Sequence, residues 1–177
     1  MNKILTKDIE NQDYLEIELL GNHGENKSFL ISKNDYPLIM DYKWYLNNHG
    51  YPYTFGKGCV NFGKRGKTLH KFLHRKQFIE KGYVIDHINR NKLDNRRENL
   101  RIITQKENSY NRTKNSNSNN KYKGVTLDKK TLGTYKATIC KDNVKYEIKD
   151  IQDEESAALI YDMMAEDLFG EYAGKNF

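Results

Sequence analysis

The most constraining stretch of the chain is INRNKLDNRREN, residues 88–99, which lies between two short apolar runs, YVID at 83–86 and LRIIT at 100–104. Twelve residues with only Ile88 and Leu93 apolar cannot bury a helix stripe or a strand face, and their asparagines and aspartate favour turns. The segment is therefore a loop, and the runs beside it are short enough to be strands. Thr104 and Glu107 stand three apart, which is a capping box that starts a helix at Gln105. The chain is thus committed here to strand, long loop, strand, helix, with Asn108 one turn into the helix.

Charge is distributed just as unevenly. The net charge of +6 over 177 residues divides into −3 for residues 1–56, +13 for residues 57–123 and −4 for residues 124–177. A concentrated Lys/Arg surplus is the footprint of a polyphosphate partner, because each neutralised phosphate releases condensed counterions. A basic solvated face is the bland alternative. A membrane surface fits less well, since no basic amphipathic helix has a Trp/Leu/Phe face. No window reaches the roughly 18 uninterrupted apolar residues that a span requires, and the N-terminus lacks the apolar region of a signal peptide. Cys59 and Cys140 form neither a zinc-type pair nor a disulfide framework, which points to reduced thiols in a cytosol.

Around the central stretch, YLEIELL (14–20) and SFLI (28–31) predict a hairpin across the turn-rich GNHGENK. DYPLIMDYKWYLNNHGYPYTF predicts a short helix and a further strand, with Trp44 as a core anchor. TLHKFLHRKQFIEK (68–81) has helical spacing, with Thr68 as N-cap. His70 and His74 share one face of it, a spacing that could take a metal but that suits packing or a phosphate contact better. The polar run RTKNSNSNN leads to a linker at 113–120. Beyond it, YKGVTL, TYKATICK and VKYEI predict three strands, with Tyr135, Ala137 and Ile139 on one face. A helix from Asp153 to Gly170 follows, with Ala157, Ala158, Tyr161, Ala165 and Leu168 as its stripe. The fold class is α+β: a strand-rich part at 1–56, a core at 57–112, the linker, and a three-stranded antiparallel sheet packed on one helix at 121–177.

Phosphodiester hydrolysis needs an activated water and neutralisation of charge on the phosphoryl oxygens. Neutral His87 could take a proton from water, and the hard oxygens of Asp86 and Asn108 suit a hydrated divalent cation. An Asp-His pair alone is weak. The spacing is more specific: twelve residues from His87 to Asn99, then nine to Asn108.

VIDHINRNKLDNRRENLRIITQKENSYNR resembles the HNH nuclease motif of phage and mobile-element homing endonucleases, with TLHKFL similar to the short helix before it. The resemblance covers residues 68–112 and implies the ββα-metal fold. It further implies His87 as general base, Asp86 and Asn108 as ligands of one Mg²⁺ or Mn²⁺ with no zinc required, and Asn99 as the brace that orients His87. Asn95 would shape the loop. Arg90, Arg96, Arg97, Arg101 and Arg112 are candidates for the DNA backbone.

Residues 121–177 resemble an AP2 domain through YKGV, AALIYD, FGEYA and the terminal NF. Such a domain lays its sheet in the major groove, which makes Lys123, Thr126, Lys136, Thr138 and Lys145 candidates for DNA contact. Thr126 and Cys140 stand where AP2 domains often carry arginine, and Glu147 where many carry tryptophan. The YKWYLNNHGYPY stretch resembles the strand-rich N-terminal part of such nucleases. Together these resemblances imply a cytoplasmic, metal-dependent endonuclease of double-stranded DNA, with no membrane and no small-molecule cofactor. The rival readings are a catalytically silent DNA-binding regulator and an RNA-binding protein, though no RNP strand or GXXG loop is present.

Overall fold

The computed structural model describes every residue except 1, 7–10, 58–59, 62–65, 75–78, 113–119, 130 and 132. Cys59, most of the expected linker, and part of the expected helix over 68–81 lie outside the described residues. The chain forms two compact units, residues 1–103 and 104–177.

In chain order the first unit contains β1 (Tyr14–Glu18), β2 (Ser28–Ser32), α1 (Tyr36–Ile39), β3 (Tyr45–Leu46), β4 (Pro52–Thr54), β5 (Gly56–Lys57), β6 (Val60–Asn61), β7 (Lys67–Thr68), α2 (Leu69–Leu73), β8 (Tyr83–His87) and β9 (Asp94–Asn95). It ends within β10 (Leu100–Thr104), whose last residue, Thr104, begins the second unit. The expected hairpin is β1 against β2, antiparallel from Tyr14↔Ser32 to Glu18↔Ser28. Alternation buries Leu15, Ile17, Phe29 and Ile31 on one face, as period-2 geometry requires. Trp44 is 1% exposed and meets Phe72 and Phe29 edge-on, at 5.4 and 6.1 Å between ring centroids. Its indole N–H donates to the Ile39 carbonyl at 3.2 Å. Each large apolar side chain buried here contributes about 1.5–3 kcal/mol, so this cluster is the main anchor of the unit.

One feature had no sequence signal. Within the polar loop, Asp94 and Asn95 form β9, which pairs in parallel with β2 through Leu30↔Asp94 and Ile31↔Asn95. The N-terminal hairpin therefore holds the loop from the side. β8 and β10 form their own two-stranded sheet. The strand–loop–strand plan thus stands, with the loop pinned in the middle.

The second unit contains α3 (Gln105–Tyr110), β11 (Val125–Leu127), β12 (Tyr135–Lys141), β13 (Val144–Ile151) and α4 (Glu154–Phe169). The capping box is complete: Thr104 Oγ1 accepts from the Glu107 N–H at 3.1 Å, and the Glu107 carboxylate accepts from the Thr104 N–H at 2.8 Å. The three strands are antiparallel in the order β11-β12-β13. Val125, Ala137, Ile139 and Ile151 pack on Ala157, Ala158, Tyr161, Ala165 and Phe169 of α4. Asp153 caps α4 by accepting from the Ser156 N–H at 2.8 Å, and Gly170 ends it at φ 55°. Tyr110 of α3 stacks on Phe169 at 4.0 Å, which ties α3 to this unit. Among the described residues, no helix is long and apolar enough to cross a membrane.

Candidate active site

Asp86 and His87 end β8, and both are buried, at 9% and 5% exposure. Besides its pairing with the hairpin strand, the loop that follows is tied by a network of its own asparagines and Asp94. Asn99 Oδ1 accepts from the Asn89 N–H at 2.9 Å, while Asn99 Nδ2 donates to Asn89 Oδ1 at 2.9 Å and to the Asp94 carbonyl at 2.7 Å. Asn89 Nδ2 donates to Asp94 Oδ2 at 2.8 Å, and Arg96 grips the same carboxylate through Nε and Nη2, each at 2.8 Å. That guanidinium and the Asn89 amide hold the Asp94 carboxyl below its ordinary range, against the opposing effect of burial. Asn99 thus braces the loop.

The bond to His87 comes from a different asparagine. Asn95, 0% exposed, has Oδ1 3.3 Å from His87 Nε2. Its Nδ2 donates to the Lys92 carbonyl at 3.0 Å, which assigns the amide with its oxygen towards the histidine. An oxygen acceptor requires a proton on Nε2, so the neutral ring carries its lone pair on Nδ1. Burial lowers the His87 pKa from its ordinary value, outweighing the Asn95 bond and the charge of Asp86, which raise it. A neutral imidazole that keeps a lone pair on one nitrogen is chemically a base.

Two further rings close on His87. His70 meets it edge-on at 5.2 Å and Tyr51 lies at 5.9 Å, with Tyr51 and His70 5.0 Å apart. His70 is 6% exposed, and burial pushes its pKa down to about 3, with His87, Lys71 and His74 adding to the effect. Its Nδ1 has no hydrogen-bond partner among the described residues, a condition that costs about 1–3 kcal/mol in a buried group. Burial, and then the charge of Asp86, raise the Tyr51 pKa. Neither residue was among the candidates named from the sequence. The i, i+4 spacing of His70 and His74 was the only available signal, and it favoured packing or a phosphate contact over a shared metal. The structure sets His74 Nε2 3.4 Å from Arg97 Nη1, while His70 faces His87.

The chemistry of the donor set decides what cation could fit. Asp86 offers a hard carboxylate, and no group of three or more His, Cys, Asp or Glu able to hold a metal exists among the described residues. A carboxylate with an amide oxygen matches an ion that keeps most of its waters, as Mg²⁺ does. Asn108 stands half-buried on α3 in the second unit.

Residues 77–110 match the family model described as HNH endonuclease. The chain is also 38% identical over 161 residues to an uncharacterised HNH endonuclease of Acanthamoeba polyphaga mimivirus, covering 89% of this chain and 79% of that protein. The chain belongs to the HNH endonuclease family. No solved structure matches it. As an HNH-family DNA endonuclease it hydrolyses phosphodiester bonds, and the match from residue 77 to residue 110 contains Asp86, His87, Asn95, Asn99 and Asn108.

The arginines of this HNH endonuclease are placed less openly than their sequence suggested. Arg96 is forked on Asp94 and reaches Glu98. Arg97 closes on Asp35 through Nε at 2.7 Å and Nη2 at 2.9 Å, and also meets the Leu73 carbonyl. Arg101 holds Asp86. Arg90 is exposed at the loop tip, with φ 64°, and Arg112 is exposed in the second unit. Carboxylates recruited three of the five: Asp94 and Glu98 hold Arg96 from two residues away, while Asp35 and Asp86 reach Arg97 and Arg101 from far along the chain.

In the second unit Lys123 turns away from the sheet face. Its Nζ donates to the Tyr110 and Gly174 carbonyls, each at 3.1 Å, which makes it a clamp on the C-terminus. Thr126 and Lys136 are register partners, as are Thr138 and Glu147. Lys136, Lys145 and Lys149 surround Glu147 at 3.6, 2.5 and 3.0 Å, and these partners, Lys145 first, hold its carboxyl down to about 2. Lys149 was not among the candidates.

Proposed function

We propose that His87 is the general base of a Mg²⁺- or Mn²⁺-dependent endonuclease of double-stranded DNA, of the homing or mobile-element kind. One observation carries the reading: a buried, neutral His87 whose Nε2 faces the Asn95 oxygen and whose Nδ1 is the basic nitrogen. His87 Nδ1 takes a proton from the water that attacks phosphorus in line. Asp86 and Asn108 would hold the cation, which when bound supplies charge stabilisation at the departing 3′ oxygen. The products are 5′-phosphate and 3′-hydroxyl ends. Asn95 keeps the His87 ring in the reactive tautomer, and Asn99 keeps the loop shaped around it. Arg90 and Arg112 are the exposed arginines for the DNA backbone.

The C-terminal sheet, with Lys136, Lys145, Thr126 and Thr138, serves as a targeting module of the AP2-like kind. Support comes from its three strands backed by one helix, and from the lysines beside Glu147 on its open face.

Supercoiled plasmid incubated with and without Mg²⁺, using wild type and His87→Ala, tests the proposal. Metal-dependent conversion to open circle or linear DNA, reduced about 10²–10⁴-fold in the variant, is the expected result. Equal cleavage by both proteins refutes the assignment of the base.

A further inference from the structure

Outside the candidate active site, β13 leaves one edge of its sheet open. The strands of the second unit run in the order β11-β12-β13, and among the described residues no strand pairs with the outer side of β13. Val144, Tyr146 and Ile148 stand along it at 52%, 40% and 45% exposure. They are the register partners of Lys141, Ile139 and Ala137, and the last two are buried against α4. The apolar row therefore lies on the helix side of the sheet, beyond the cover of α4. Edges are commonly blunted by proline, bulges or charge. Between Val144 and Ile148 there is neither proline nor bulge, and the two charges present, Lys145 and Glu147, are opposite in sign.

Two features limit this run. The turn at Asp142 and Asn143, with φ 51° and 66°, starts it. A bulge ends it: the ladder passes from Ala137↔Ile148 to Tyr135↔Ile151, with an extra residue on β13 and Asp150 at φ 58°. Val144–Ile148 is thus a regular segment with Tyr146 at its midpoint. A two-fold axis through that midpoint, perpendicular to the sheet, pairs the segment antiparallel with its own copy. Val144 then faces Ile148 of the second copy, Tyr146 faces its own counterpart, and Lys145 faces Glu147 of the second copy, twice over. Apolar and opposite-charge pairs set directly across from one another stabilise a sheet, and like charges destabilise it. Sliding the copies by two residues sets either Glu147 or Lys145 against its own counterpart. A slide of one residue turns the apolar row onto the charged face.

We propose that the partner of this edge is a second copy of the chain: the protein forms a two-fold dimer through antiparallel pairing of Val144–Ile148, with Tyr146 on the axis. The pairing joins the two three-stranded sheets into one and puts the apolar rows of both copies side by side. Such an interface is isologous and closes on itself. An axis perpendicular to the sheet leaves each face on its own side, so the lysines around Glu147 in both copies form one continuous basic surface. The particle also carries two nuclease sites, the number needed to cut both strands of a duplex. The dimer does not depend on the role given to His87.

Sedimentation velocity of the full chain, without DNA or metal and over about 1 μM to 1 mM protein, reads the association. Wild type is expected to pass from monomer to dimer and no further. Lys145→Glu sets like charges together at both symmetry-related places and is expected to raise the dissociation constant about tenfold or more. Lys145→Glu combined with Glu147→Lys is expected to recover the dimer. Cross-linking checks the register independently, in a Cys140→Ser background because Cys140 is exposed. Tyr146→Cys brings two Cα atoms to about 4.5–5.5 Å, within disulfide reach, and is expected to cross-link on mild oxidation. Ile148→Cys is similarly exposed, but its counterpart lies about 13 Å away along the strands, so it is expected to stay uncross-linked. A protein that remains monomeric, association that continues past the dimer, or equal cross-linking at the two positions would overturn the proposal. The cysteine pair decides it should Lys145→Glu fail to fold.

Discussion

Arg101 closes on Asp86, with Nε and Nη2 each 3.1 Å from the same carboxylate oxygen, Oδ2. Both side chains are largely buried, at 13% and 10% exposure, so the pair is screened far less than a surface ion pair. The guanidinium thereby holds the Asp86 carboxylate in place next to His87 in the chain. Arg101→Leu is expected to destabilise the protein by about 2–4 kcal/mol, because it takes the cation from a buried carboxylate. Urea denaturation measures the loss. The double variant with Asp86→Asn should lose less than the sum of the two singles, by about 1–3 kcal/mol. Strict additivity would show that the contact contributes nothing.

Asn95 and Asn99 are separable by experiment. Asn95→Leu removes the acceptor from His87 Nε2 and is expected to lower kcat by about tenfold or more while leaving KM for DNA within about twofold. Asn99→Ala removes three hydrogen bonds inside the loop. It should cost about 2–4 kcal/mol in stability, from roughly 1 kcal/mol per bond plus buried groups left unmet. Steady-state kinetics and melts on both proteins check the division. The reverse pattern would exchange the two roles.

Stability should fall in mild acid because of His70. Its folded pKa is about 3, against an ordinary 6.5. Between these values the unfolded chain binds a proton that the folded chain does not, so unfolding becomes easier as pH drops. The contribution is complete above about pH 6.5 and is lost progressively towards pH 3, by up to about 1.4 kcal/mol per unit. Chemical denaturation at several pH values, compared with His70→Phe, isolates it. Parallel curves for the two proteins would contradict the burial argument.

Glu147 neutralises lysines that the open sheet face would otherwise offer to phosphate. Glu147→Gln is expected to tighten binding of duplex DNA several-fold. It should also steepen the dependence of log K on log salt by about one, the amount for one more phosphate contact. Fluorescence anisotropy across a salt series with catalytically inactive protein reads both. An unchanged slope would remove this face from the DNA interface.

Local chemistry made the central layout legible in advance. Two apolar runs around a polar dozen, with Thr104 and Glu107 beyond, determined strand, loop, strand and capped helix. Periodicity likewise located β12, β13 and α4 and most of their core. Asp86, His87 and Asn99 stood out because carboxylate, imidazole and amide at that spacing suit one chemistry, and all three lie buried about one loop.

Only tertiary structure decided the rest, because those features depend on partners remote in the chain. The hairpin strand Ser28–Ser32 pairs with Asp94–Asn95 and so sets Asn95, rather than Asn99, against His87. Asp35 captured Arg97 across 62 positions, and Asp86 captured Arg101, so arginines that sequence alone offered to DNA became internal clamps. His70 and Tyr51 reached His87 because burial of Leu69, Phe72 and Trp44 folded α2 over the site. Hydrophobic pattern and capping act over a few residues and can be read from neighbours. Charge pairing and ring contact are settled only when the core has closed.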